Sequence, residues 1–326
     1  MRELIEILGL SGCFAALIFL PEVTSSGVIE GLRLCGTAIL PALFPFFICT
    51  NLIGKLGLSR KLSEVLRPLT RRLFGCDAAA PLVLGLLGGY PAGAKAAAGL
   101  YQSGELDRDS AVCLLRFCNN SGPAFIFGVM GSRVFGSVRT GLLLYAVHLL
   151  SALLCGLLTK PAHAIVQKSP PPKKLPFASA FTESVRDAGA SAFQVCLFVT
   201  VFSAISALFR LLPIPEPLRP LLIGMLELSG GANALAAAAL PDGVKLITAS
   251  FLLAFGGISI HAQTKALLLD AGLPDAPVLL PKLLHALLAA LLTAACLTPA
   301  GIFLPVGIFS LFFLKVMAGN LRTKRI

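Results

Sequence analysis

The stretch Gly88-Gly-Tyr-Pro-Ala-Gly-Ala-Lys95 sets a lysine, a proline and three glycines inside one of the most apolar parts of the chain. Further on, Phe117-Cys-Asn-Asn-Ser-Gly-Pro-Ala124 sets two asparagines and a serine before a second proline. Both are helix-breaking sequences in apolar surroundings. A helix interrupted in lipid frees backbone N–H and C=O groups that are costly to leave unpaired, so such breaks persist only where protein, water or a ligand satisfies them. The new half-helix N-termini carry partial positive charge and aim N–H groups at the gap, which suits an anion. Gly88 and Gly89 would let the backbone turn and approach a ligand, Tyr90 would offer its ring, and Pro91 and Pro123 fit the first turn of a half-helix. Lys95, one turn beyond Pro91, would add a full charge. Asn119, Asn120 and Ser121 would supply hydrogen bonds.

Two later stretches complete the set. Glu227, Ser229 and Asn233 surround Gly230-Gly231, and Ser259, His261, Gln263 and Thr264 follow Gly256-Gly257. Ionisable residues at membrane depth are functional candidates by default. The expected substrate-binding residues are therefore Gly88, Gly89, Tyr90, Lys95, Asn119, Asn120, Ser121, Glu227, Asn233, Ser259 and Gln263, with His261 as the proton- or ion-coupling group. Blander roles exist for each. Gly-Gly also permits close helix packing, Lys95 could snorkel to the interface, and Arg116 fits a structural ion pair as well as a substrate contact. Glu30–Arg33 and Glu183–Arg186, spaced i to i+3, read as intrahelical or inter-repeat ion pairs. His148 and His285 sit singly in ordinary spans and read as core histidines.

Other chemistry is poorly supported. A phosphate loop needs Gly-Lys adjacent and then Ser or Thr, whereas here Ala94 intervenes and Ala96 follows. There is no GxSxG, HExxH, paired carboxylate or Cys/His cluster, so the chain is expected not to be an enzyme and to need no cofactor or metal. The nine cysteines lack any CxxC spacing and read as small buried hydrophobes. The net charge of +11 comes without the interleaved aromatics of a nucleic-acid binder.

The elements that must position these residues follow from composition. Hydrophobic residues make up 56% of the 326, charged residues 13%, and mean hydropathy is +0.87, which indicates a polytopic membrane protein. It should be all-α, because lipid offers nothing to open strand edges. Apolar spans fall at about 4–20, 28–54, 109–131, 138–158, 178–212, 244–268, 277–299 and 300–317, about eight spanning helices. The N-terminal stretch lacks a small-residue cleavage pattern and reads as the first span. Pieces at 77–101 and 220–240, each interrupted by Gly-Gly, read as re-entrant helical hairpins. Residues 55–75, with leucines at helical spacing between cations, suit a helix on the membrane surface. The segment 159–176 is a basic, proline-rich loop. With the N-terminus inside, 18 of the 27 Lys and Arg fall on inside loops and helix ends and 5 outside (Arg133, Arg139, Arg210, Arg219, Lys245). Arg33, Lys95, Arg116 and Arg186 lie deeper. That asymmetry puts both termini in the cytoplasm.

The chain also repeats itself. Glu30-x-x-Arg33-x-x-Gly36 recurs as Glu183-x-x-Arg186-x-x-Gly189, and Leu66-Arg-Pro-Leu69 as Leu218-Arg-Pro-Leu221. The expected organisation is one membrane domain: repeat one at about 28–158, a linker at about 159–177, repeat two at about 178–299, and a C-terminal helix at 300–317. Opposite orientation of two such halves, each with a hairpin and a broken span, is the signature of a secondary transporter.

The motifs GGYPAGAK and FCNNSGPAFIFG resemble those of the YlbJ-type sporulation integral membrane proteins, which carry the nucleoside-recognition or gate domain. Gly89, Tyr90, Pro91, Gly93, Ala94 and Lys95 match the first motif of that family; Asn119, Ser121, Pro123, Phe125, Ile126 and Gly128 match the second. Gly122 stands where many members have Asn. The resemblance implies a fold related to concentrative nucleoside transporters, a spore-forming bacterium, and movement of a small anionic metabolite, with dipicolinate the suggested cargo. The expected location is the bacterial cell membrane or a forespore membrane, and the expected partners are that metabolite, the lipid bilayer and a coupling proton or sodium ion. A homo-oligomer stays open, as do two alternative functions: a non-transporting assembly factor for spore maturation and a nucleoside transporter.

Overall fold

The structure, a computed structural model, describes residues 2–76, 79–160 and 175–298. The predicted helix at 300–317 and most of the loop at 159–176 lie outside the described residues. Everything regular among the described residues is helical. Helix α1 (Arg2–Phe19) leads into α2 (Pro21–Leu34), which continues through a π-helical turn at Cys35–Ile39 into α3 (Leu40–Lys55). Helix α4 (Leu58–Phe74) is strongly amphipathic and is framed by glycines in the left-handed conformation, Gly57 and Gly75. Two short helices, α5 (Ala80–Gly88) and α6 (Ala92–Gln102), follow.

Next come α7 (Arg108–Leu115), a non-helical break, and α8 (Pro123–Phe125), which runs on as a π-helix through Val134. Helix α9 (Val138–Leu158) closes the first half. The second half comprises α10 (Phe177–Phe209), the short α11 (Arg219–Leu226) and α12 (Leu228–Ala237), then α13 (Asp242–Phe255) and α14 (Gly257–Asp270) separated at Gly256, and finally α15 (Leu279–Cys296). Pairing α2–α3 with α10, α5–α6 with α11–α12, α7–α8 with α13–α14, and α9 with α15 gives the same order of elements twice.

Among the described residues, five stretches are long and apolar enough to cross a membrane: Pro21–Lys55, Val138–Leu158, Phe177–Phe209, Asp242–Asp270 and Leu279–Cys296. The span read at 109–131 is not continuous, because residues 116–122 leave the helix. Both short pairs fold back on themselves. A Cβ on Gly93 would lie 3.0 Å from the Cα of Gly85, and one on Gly231 would meet the backbone of Gly224 and lie 3.4 Å from the Pro220 carbonyl oxygen. Residues so far apart along one continuous helix could not approach so closely. With 9 and 11 residues, α5 and α6 measure about 14 and 17 Å, short of a hydrocarbon core of about 30 Å.

The halves are joined most extensively by α2 and α3 lying along α10. Gly27 and Gly31 let α2 approach so closely that a Cβ on either would fall 2.7 Å from a Cα of α10, at Ala204 and Thr200. Ion pairs cross the same seam: Glu30 with Arg210 at 2.7 Å, and Lys55 with Glu183 and Asp187 at 2.8 and 3.0 Å. Glu30 and Glu183 thus each pair with a cation of the other half of the chain rather than with the arginine three residues on. A chain wound on itself this way brings the breaks of one half against those of the other.

Candidate functional site

The tip of the first hairpin, Gly88 to Pro91, sits directly on the break at 116–122. The glycines serve that contact. A Cβ on Gly85 or Gly93 would overlap the Cys118 carbonyl oxygen, and one on Gly89 would lie 2.9 Å from the Gly122 nitrogen. Gly89 also has φ +80°, a conformation that only glycine adopts without strain. Gly88 faces the side chain of Thr50. Of the glycines expected to let a ligand approach, Gly89 is in this conformation covered by backbone of the second motif and Gly88 by Thr50. Pro91 stands at the position before the first residue of α6.

The groups freed by the breaks satisfy one another. At Gly256 (φ +89°) α13 ends, leaving the carbonyls of Leu253 and Ala254 without helical donors. Tyr90 Oη reaches both, at 3.2 and 3.1 Å, and Ser121 Oγ donates to Leu253 O at 3.0 Å. The hydroxyl end of the Tyr90 ring packs against Gly256, where a Cβ would be 3.0 Å from Cζ. Gly257 packs on the tip of the second hairpin in the same manner, 3.0 Å from the Gly224 oxygen by the same measure. The second hairpin turns at Glu227, three residues before the predicted Gly230-Gly231. There the Glu227 carboxylate accepts from the N–H groups of Ser229 and Gly230, at 3.0 and 2.5 Å, capping α12. Of the two glycines, Gly231 is used instead for close approach of the two arms, against Gly224.

Loss of the tyrosine hydroxyl tests this pairing. Tyr90→Phe leaves buried carbonyls short of a donor, and unfolding in detergent should show about 1–3 kcal/mol lost. Because Ser121 donates to the same Leu253 oxygen, combining it with Ser121→Ala should be non-additive in a double-mutant cycle.

The predicted site residues fall in two places. Tyr90, Ser121, Glu227 and Gln263, with Ser229, line a small cavity of about 50 Å³ walled by Ile39, Leu43, Val195 and Val199. Ser259, fully buried, accepts from Nε2 of the lining residue Gln263 at 3.3 Å. Asn119 and Asn120 are buried next to it, Asn119 Nδ2 donating to Thr264 Oγ1 at 3.0 Å and Asn120 Nδ2 to Phe117 O at 2.8 Å. Lys95 is elsewhere. It lines a cavity of about 470 Å³ between α3, α5–α6 and α10, shared with Thr50, Asn51, Lys55 and Ser191. Its Nζ donates to Ser191 Oγ at 2.6 Å and makes a long contact of 3.5 Å with the Asp187 carbonyl. Lys55 there is held by two carboxylates, whereas Lys95 has no direct ion pair among the described residues. Hence Lys95 does not converge with the asparagines, because it leaves α6 on the side opposite the 116–122 break.

Three further candidates line neither cavity. Asn233 is exposed on α12 and lines neither cavity, since the turn at Glu227 points it outward. Arg116 caps the end of α9, donating to Thr159 O at 2.7 Å. His261 packs edge-on against Phe255, ring centroids 4.9 Å apart, with Nε2 buried and unpartnered.

Sequence reasoning missed Lys282. Counted among the cations of the inside helix ends, it is buried at 3% exposure in the first turns of α15 and donates to the carbonyl oxygen of Asn119 at 2.8 Å. His285, one turn on, accepts from it at 2.8 Å. The available signal was the pair itself, a lysine and a histidine at i and i+3 on one face of an otherwise apolar span. The asparagine break, the two histidines and this lysine form a single buried polar cluster.

The sequence is 27% identical over 318 residues to the sporulation integral membrane protein YlbJ of Bacillus subtilis (strain 168), an alignment covering 85% of this chain and 78% of that protein. No family model and no solved structure matches the chain. This is an all-helical polytopic membrane protein, similar in sequence to a sporulation integral membrane protein.

Proposed function

We propose that the chain is a membrane transporter or facilitator for a small organic anion rather than an enzyme, with Lys95 as the substrate's counter-charge. One observation carries this reading: an ammonium group without a carboxylate partner, on the first turn of a half-helix, in a cavity of about 470 Å³. A site of that size lies within the usual range for small-molecule pockets. Thr50, Asn51 and Ser191 supply hydrogen-bonding groups around it, and the α6 N-terminus adds partial positive charge. Dipicolinate, a planar dicarboxylate, fits that chemistry and the sporulation role of the YlbJ relative, with the cell or forespore membrane as the location.

In this reading the two folded-back pairs are re-entrant hairpins and the halves are inverted repeats. The larger cavity is the side open to the cytoplasm, near Lys55, Ser103 and Glu105. The sealed contact of Gly89 on Gly122, and the small cavity at Glu227 beyond it, form the closed side. Transport is then rocking of one repeat against the other about the central breaks.

Uptake of labelled dipicolinate and other small carboxylates into proteoliposomes tests the proposal. Wild-type protein should give saturable uptake, inhibited by competing dicarboxylates and not by uridine. Lys95→Gln should raise the apparent KM about tenfold or more, the loss of roughly 1.4 kcal/mol of binding, and Lys95→Arg should recover most of it. Uptake indifferent to Lys95, or no uptake of any carboxylate by well-inserted protein, points to an assembly factor instead.

A further inference from the structure

Lys282 poses a problem of charge. Its Nζ meets Asn119 O at 2.8 Å, His285 Nδ1 at 2.8 Å and Asn120 Oδ1 at 3.5 Å, and it lies 5.1 Å from the centre of the Tyr90 ring. No carboxylate is paired with it among the described residues. The titratable groups facing it are His285 on its own helix, His148 and Cys155 from α9, Cys118 from the break, Tyr90 from the hairpin tip, and His261 from α14. None of these is a carboxylic acid. Burying an ammonium without a counter-charge costs several kcal/mol even after relaxation.

The hydrogen-bond directions settle how the cluster is wired. His285 Nε2 meets the carbonyl oxygen of His148 at 3.2 Å, and a carbonyl only accepts. His285 therefore carries its proton on Nε2, leaving Nδ1 to accept from Lys282. His148 Nε2 accepts from the Ser121 N–H at 3.1 Å, so its own proton is on Nδ1, which is buried without a partner. A neutral amine has two hydrogens, and the two short contacts, to Asn119 O and His285 Nδ1, take both. The third contact is long. The short contacts of the closed arrangement are complete with Lys282 uncharged, and its bond to Asn119 O pins the 116–122 break to α15.

We infer that Lys282 is a proton-binding site coupled to the break: neutral while residues 116–122 are packed, it takes a proton from water when they open, and must lose it for them to close again. Acid then favours the open form. This adds a coupling group to the transport reading above without resting on it, since opening is measurable with no substrate present.

Backbone hydrogen exchange across residues 114–122, followed by mass spectrometry on the full chain in lipid nanodiscs and corrected for the intrinsic pH dependence of exchange, tests it. The corrected opening should increase as pH falls, by up to about tenfold per pH unit for one linked proton. Lys282→Met, which cannot charge, should abolish the slope, and Lys282→Arg, always charged, should hold the segment open at every pH. A flat wild-type profile overturns the inference. So does a normal slope in Lys282→Met, or one that vanishes only in His285→Gln. If Lys282→Met fails to insert, the wild-type profile and Lys282→Arg decide alone.

Discussion

A Gly85→Ala chain is expected to enter the membrane yet fail to seat its first hairpin. The added methyl would overlap the Cys118 carbonyl oxygen and come 2.9 Å from both the Cys118 carbonyl carbon and the Cα of Gly93. These are backbone atoms of two other segments, the break and α6, so no side chain can swing away to make room. Overpacking of well-packed cores costs roughly 1–3 kcal/mol, and a clash with a fixed carbonyl belongs at or above the top of that range. The damage spreads further, because displacing the tip also removes Tyr90 from the carbonyls of Leu253 and Ala254. Thermal unfolding in detergent should show a marked loss in Gly85→Ala and Gly93→Ala alike. Gly99→Ala on the same hairpin, with nothing within 4 Å of its added carbon, should be neutral or slightly stabilising. Equal behaviour of all three would refute the close packing of the hairpin on the break.

Removal of the Glu227 side chain is expected to be nearly as severe, and to separate two roles of the carboxylate. It is 2% exposed and accepts from two backbone N–H groups at the start of α12. Glu227→Ala leaves both donors buried without an acceptor, at about 1–3 kcal/mol each. Glu227→Gln keeps one carbonyl oxygen and the shape, and should recover about half of that loss. Chemical unfolding of the two variants measures the capping role. If Glu227→Gln proves as stable as wild type yet has altered uptake, the group also acts on the solute or on a coupled ion. If Glu227→Ala is stable, the hairpin does not depend on its cap.

The four interruptions were legible because each is local. Glycine at positive φ, proline near a helix start and polar residues in an apolar run conflict with a continuous helix wherever they occur, and the structure breaks or turns at all four regions. Their details were less so. The second hairpin turns at Glu227 and not at Gly230-Gly231, because a carboxylate that reaches forward to the N–H groups two and three residues on caps the start of a new helix there. Asn233, six residues on, was assigned to the gap by proximity in sequence and is turned outward by that same shift.

The sequence by itself determined the solvent, the helical class and the regions in which helices are interrupted. These follow from composition and from backbone chemistry acting over a few residues in lipid. Which freed group meets which partner was decided only in three dimensions. Tyr90 caps a helix end 163 residues away, Lys282 pins a carbonyl 163 residues before it, and Lys95 faces Ser191 rather than Asn119. A buried polar group in a membrane must find a partner, but the identity of that partner depends on how the two halves pack, and no local pattern carries that information.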